Sequence, residues 1–142
     1  MPFETTPLPA EPDAIAPDGS SVRILGAVGA GTAAHFELGP GQTSIAVRHR
    51  TVEEIWFVTA GAGEMWRSRD HDDATVALTP GTCLTIPVGT AFQFRCTSTD
   101  PLGAFGVTMP PWPGDGEAYA VAGPWQPTQV SASAPAGTPS SD

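Results

Sequence analysis

An all-β domain is predicted, on three observations. Sixteen glycines and sixteen prolines in 142 residues leave little room for a long helix. Over residues 22–109, short runs rich in Val, Ile, Thr and aromatic side chains recur at the spacing of an antiparallel sandwich or barrel. Gly or Pro signals separate these runs, and no internal repeat is evident. The length is that of one ordinary domain.

Taken in order, residues 1–21 carry five prolines and several acids without periodicity, and they read as an extended N-terminal arm. Strands are then expected at 22–28, 32–38, 43–49, 53–59, 63–67, 74–78, 83–86, 91–96 and 102–109. The intervening Gly39-Pro40-Gly41, Ala60-Gly61-Ala62-Gly63, Pro80-Gly81 and Pro87-Val88-Gly89 supply the turns, through positive φ at glycine or the fixed φ of proline. Residues 22–110 form the β domain. Residues 111–125 form a Pro/Gly-rich strap whose Trp112 and Trp125 are large anchors, suited to docking on the domain or a second subunit and to closing a pocket mouth. Residues 126–142 are a Pro/Ala/Ser/Thr tail too poor in apolar groups to fold alone, and disorder is expected there.

Charge excludes several functions. Six arginines and no lysine stand against fifteen acids, a formal net charge of -9. Nucleic acid and anionic membrane surfaces both require a basic face and are not expected partners. Without lysine there is no side-chain Schiff base and no P-loop. The first residues lack the basic cluster and apolar run of a secretory signal, and no stretch has the ~20 apolar residues of a membrane helix. Cys83 and Cys96 lack CxxC spacing. A cytoplasmic protein with reduced thiols is expected.

Two spaced patterns carry the functional reading. In the first, Gly41 is followed after five residues by Val47-Arg48-His49, then after four by Glu54, and after six more by Gly61. In the second, Gly81 is followed after five residues by Pro87-Val88-Gly89, after two by Phe92, and after three by Cys96. Together they resemble the two motifs of the cupin superfamily of small jelly-roll barrels. Val47 stands where that family has its first histidine, Phe92 where it has its last, and Cys96 where it has an asparagine.

The resemblance implies a single small jelly-roll β-barrel and a homodimer paired through edge strands. In typical members two histidines, a glutamate and a later histidine hold iron, manganese, zinc, nickel or a similar ion. Only His49 and Glu54 of that quartet remain here. They are expected to share a mainly apolar pocket with Val47, Trp56, Val58, Phe92, Phe94, Cys96 and His35. Two ligands bind a divalent ion poorly, so no cofactor is expected, although His35, Glu37, Cys83 or Cys96 could supply a third ligand, His35 best of all. The leading function is acid/base chemistry on a small organic molecule: isomerisation, epimerisation, cyclisation or elimination. There His49 acts as acid or base and Glu54 orients it. A buried Glu54 must either pair with His49, Arg48 or Arg50 or become neutral; both arginines alternate with His49 and so point away from it. The alternatives are a non-catalytic ligand-binding module and a metal-dependent oxygenase or lyase. His71, within Arg69-Asp70-His71-Asp72-Asp73, reads as part of a solvated hairpin loop.

Overall fold

The computed structural model describes residues 3–130. Eleven strands and no helix occur among them: β1 (Ala14–Ile15), β2 (Ser21–Val28), β3 (Gly31–Leu38), β4 (Val47–His49), β5 (Glu53–Ala60), β6 (Gly63–Arg69), β7 (Asp72–Leu78), β8 (Cys83–Ile86), β9 (Ala91–Cys96), β10 (Leu102–Met109) and β11 (Ala118–Ala120). They form two antiparallel sheets, ordered β1-β2-β3-β10-β5-β8 and β11-β4-β9-β6-β7. The ladders therefore make a two-sheet jelly-roll arrangement rather than one continuous hydrogen-bonded ring. Among the described residues, no helix is long and apolar enough to cross a membrane.

Alternation along the strands builds the core between the sheets. Trp56 and Val58 of β5, Met65 of β6, and Phe92 and Phe94 of β9 are almost wholly buried. Trp56 organises the aromatic part. It stacks on Phe36 at 4.9 Å and 12° and receives Phe92 and Phe94 edge-on. The four motif glycines Gly41, Gly61, Gly81 and Gly89 all adopt positive φ. At Gly61 a Cβ would lie 2.3 Å from the Pro101 carbonyl oxygen, so backbone packing as well as φ requires glycine there.

Three expectations about the chain's course are corrected. The strand expected over 43–49 is shortened to Val47–His49. The Ser44, Ile45 and Thr43 amides bond instead to Phe94 O, Asp18 O and the Thr128 hydroxyl, which draws this stretch out of a regular ladder. The arm and the strap each contribute a short strand, β1 on β2 and β11 on β4. The strap also continues past 125: Thr128 N donates to Thr43 O, and Gln129 Nε2 donates to Gly19 O. Backbone and side-chain partners thus hold residues that their own composition could not. The rest of the expected tail, 131–142, lies outside the described residues.

Candidate functional site

Period-two alternation on β5 puts a carboxylate inside the protein. Trp56 and Val58 face the core, so Glu54 must face the same way, and it is buried. On β4 the same rule turns Val47 and His49 inward and Arg48 away. The two inward groups meet: His49 Nδ1 lies 3.1 Å from Glu54 Oε2. The contact is close but poorly aligned, and Nδ1 has no hydrogen-bond partner. Glu54 Oε1 instead accepts from the Trp56 indole N–H at 2.5 Å.

This pair lines a cavity of about 480 Å³. Its walls include Val47, Trp56 and Phe92, as expected from the sequence, together with Phe36, Thr32 and Thr108. The two threonine hydroxyls bond to each other. Residues 14–18 of the arm and Trp112, Asp115 and Ala118 of the strap complete the enclosure. His49 is held edge-on between Phe92 at 5.3 Å and Trp112 at 5.2 Å.

Other expected pocket residues lie elsewhere. Val58, Phe94 and Cys96 are core residues farther along their strands and do not line the cavity. The Cys96 thiol points to the following turn, 3.3 Å from Asp100 O. His35 precedes the inward-facing Phe36, so parity places it on the outer face, in register with Arg23 and Phe105. Arg50 donates to Gly116 O and lies over the Tyr119 ring, so neither it nor Arg48 pairs with Glu54. His71 is exposed at the β6–β7 turn.

Two acids outside the motifs belong to the site's electrostatics. Glu117, on the strap, accepts from the amides of Thr51 and Val52 and from the Thr51 hydroxyl, each at 2.7 Å. Burial opposes its ionisation, but these donors outweigh burial and hold its pKa below the ordinary value. Asp18 lines the cavity from the arm, and its Oδ1 accepts from Ser20 N at 2.9 Å and Ser20 Oγ at 2.6 Å. Burial raises its pKa. No local signal in the sequence brings Asp18 or Glu117 to this site.

Burial also decides the protonation of the pair. It pushes Glu54 up to about 8, against the Trp56 hydrogen bond and with help from Asp18. It pushes His49 down to about 4, against Glu117 and the Val52 backbone. Both shifts favour a proton on Glu54 and an uncharged His49, that is, neutrality over ion pairing for the buried carboxyl.

A family model for the cupin domain matches residues 34–107. The chain belongs to the cupin family. No curated protein matches it. Solved structures similar to this cupin include the capsular polysaccharide assembling protein CapF from Staphylococcus aureus, at 20% identity and TM-score 0.64 over 82% of this chain and 35% of that one. Oxalate decarboxylase from Bacillus subtilis is similar at 15% identity and TM-score 0.64, over 77% and 29%. A double-stranded β-helix protein from Klebsiella pneumoniae subsp. pneumoniae MGH 78578 is similar at 14% and 0.60, over 84% and 91%. The cupin thus spans about a third of the CapF and decarboxylase chains, and identities this low establish the fold alone.

The residues of this cupin do not fit the family's usual metal. No group of three His, Cys, Asp or Glu side chains able to hold an ion occurs among the described residues. Val47 and Phe92, in register on β4 and β9, put hydrocarbon where the two missing histidines would be. The possible substitutes are turned elsewhere: His35 to the outer face, Glu37 to Arg23 at 3.1 Å, Cys96 to its turn, and Cys83 to solvent.

Proposed function

We propose that this cupin binds a small organic molecule in the enclosed cavity and transfers protons on it with Glu54 and His49, without a metal. The observation that carries the reading is the 3.1 Å contact of two buried, oppositely shifted titratable groups on the wall of a ligand-sized cavity. In this reading protonated Glu54 gives its proton to a carbonyl oxygen of the bound molecule, and His49 Nδ1 takes one from the adjacent carbon. The products are an enol, a carboxylate and an imidazolium. The new carboxylate stabilises the imidazolium, so the first transfer favours the second. Return of the proton to another atom gives isomerisation; return to the other face gives epimerisation. Departure of a neighbouring leaving group gives elimination.

The test is deuterium exchange. Small carbonyl compounds that shift the Trp112 or His49 NMR signals are incubated with the protein in D₂O. Enzyme-dependent exchange of their acidic C–H, lost in Glu54→Gln and in His49→Ala, is expected. Binding without exchange would favour a second reading, a ligand-binding module, to which the mainly apolar enclosure is equally suited. A cytoplasmic setting and a homodimer complete the proposal. The seven-residue edge strand β7, largely exposed, supports the dimer, and sedimentation tests it.

A further inference from the structure

The charges around the cavity are one-sided. Asp18, Glu54 and Asp115 line it, and no lysine exists in the chain. None of the six arginines lines the cavity. Arg23 binds Glu37 and Pro9 O on the outer face, and Arg48 is turned from the cavity by strand parity. Arg50 binds Gly116 O and lies over Tyr119. Arg67 and Arg69 donate to Thr85 O and Val88 O, while Arg95 joins Glu64 and stacks over Trp125.

The remaining titratable group is His49, only 5% exposed, and its Nδ1 faces this site without a hydrogen-bond partner. The enclosure otherwise offers the ring faces and edges of Phe36, Trp56, Phe92 and Trp112. An anionic ligand would meet two buried carboxyl groups with no guanidinium to offset them, an uncompensated cost of burial. A cation would meet the oxygens of Asp18 and Asp115 and aromatic quadrupoles, both of which attract it.

Resting on the ligand-binding reading above, we infer that the natural ligand is a small amine, bound as its ammonium between Asp18 and the aromatic walls, with Glu54 left neutral. Its apolar part fills the space beside Val47 and Ala34. Anionic substrates such as oxalate or a sugar phosphate do not suit this cavity.

Three probes of one shape test the inference: 2-phenylethylammonium, the neutral 2-phenylethanol and the anionic 3-phenylpropanoate. Their affinities are measured by ligand-observed NMR and calorimetry at neutral pH. The ammonium is expected to bind about tenfold or more tightly than the alcohol, and the anion most weakly. Asp18→Asn, close in volume to the native side chain, should shrink the ammonium-to-alcohol ratio. An alcohol or anion that binds as tightly as the ammonium overturns the inference and leaves the cavity a ligand site. If none of the three binds at millimolar concentration, the inference and the ligand-binding reading fall together.

Discussion

Trp112 rests edge-on against His49, with ring centroids 5.2 Å apart, so a residue of the irregular strap covers a titratable group of β4. The strap is fastened beside this contact by Glu117, which takes three hydrogen bonds from Thr51 and Val52. Closure of the cavity and the protonation of its contents are consequently linked.

Removal of the cover should expose that link. Trp112→Ala admits water beside His49, and the imidazole's pKa should rise from about 4 toward its ordinary 6.5, because burial is the main cause of the depression. An NMR titration of His49 checks this. The accompanying loss of stability should be modest, about 1–2 kcal/mol.

Glu54 should make stability depend on pH. Its folded pKa lies above its ordinary value of 4.5, so the folded state holds the proton longer and stability falls as pH rises toward about 8. His49 has the opposite sign: its contribution is lost as pH falls from 6.5 toward about 4. The two nearly cancel where their ranges overlap, and above pH 6.5 Glu54 acts alone. Glu54→Gln should therefore be more stable than the native protein at pH 8 and show no such gain below pH 4. Urea melts at both pH values measure it.

Glu117→Gln keeps an acceptor but weakens charge-assisted bonds to two amides and a hydroxyl. A loss of about 1–3 kcal/mol is expected at neutral pH. The loss should shrink in acid, because the native carboxylate's contribution disappears as pH falls through its lowered pKa. The same variant should lower the His49 pKa further, since the Glu117 charge raises it.

Reinstating the missing ligands should create a metal site. Val47→His combined with Phe92→His places two imidazoles on registered neighbours beside His49 and Glu54. Calorimetry should find zinc or manganese binding to the double variant at least about tenfold tighter than to the native protein. Equal affinities would mean that the hydrocarbon replacements are not what weakens the site.

The sequence made the fold legible because its signals are local. The glycine and proline spacings fix turn geometry, and alternation on β5 fixes which face Glu54 occupies. The shared pocket of His49 and Glu54 follows from the motif resemblance, whereas their direct contact is one of three pairings that the sequence leaves open to Glu54. Trp112 was recognisable as an anchor able to close a pocket mouth, but Asp18 and Glu117 were not recognisable as parts of the site, since they reach it through segments whose path depends on long-range partners such as Gln129 on Gly19. The outward turn of His35 followed only once Phe36 was known to face the core.

The most direct measurement is difference infrared spectroscopy of the carboxyl groups, comparing the native protein with Glu54→Gln across the pH range. A protonated carboxyl signal present at pH 6, absent from the variant and fading near pH 8, is the result expected of a neutral Glu54–His49 pair. An ionised Glu54 at pH 6 beside a charged His49 would contradict it.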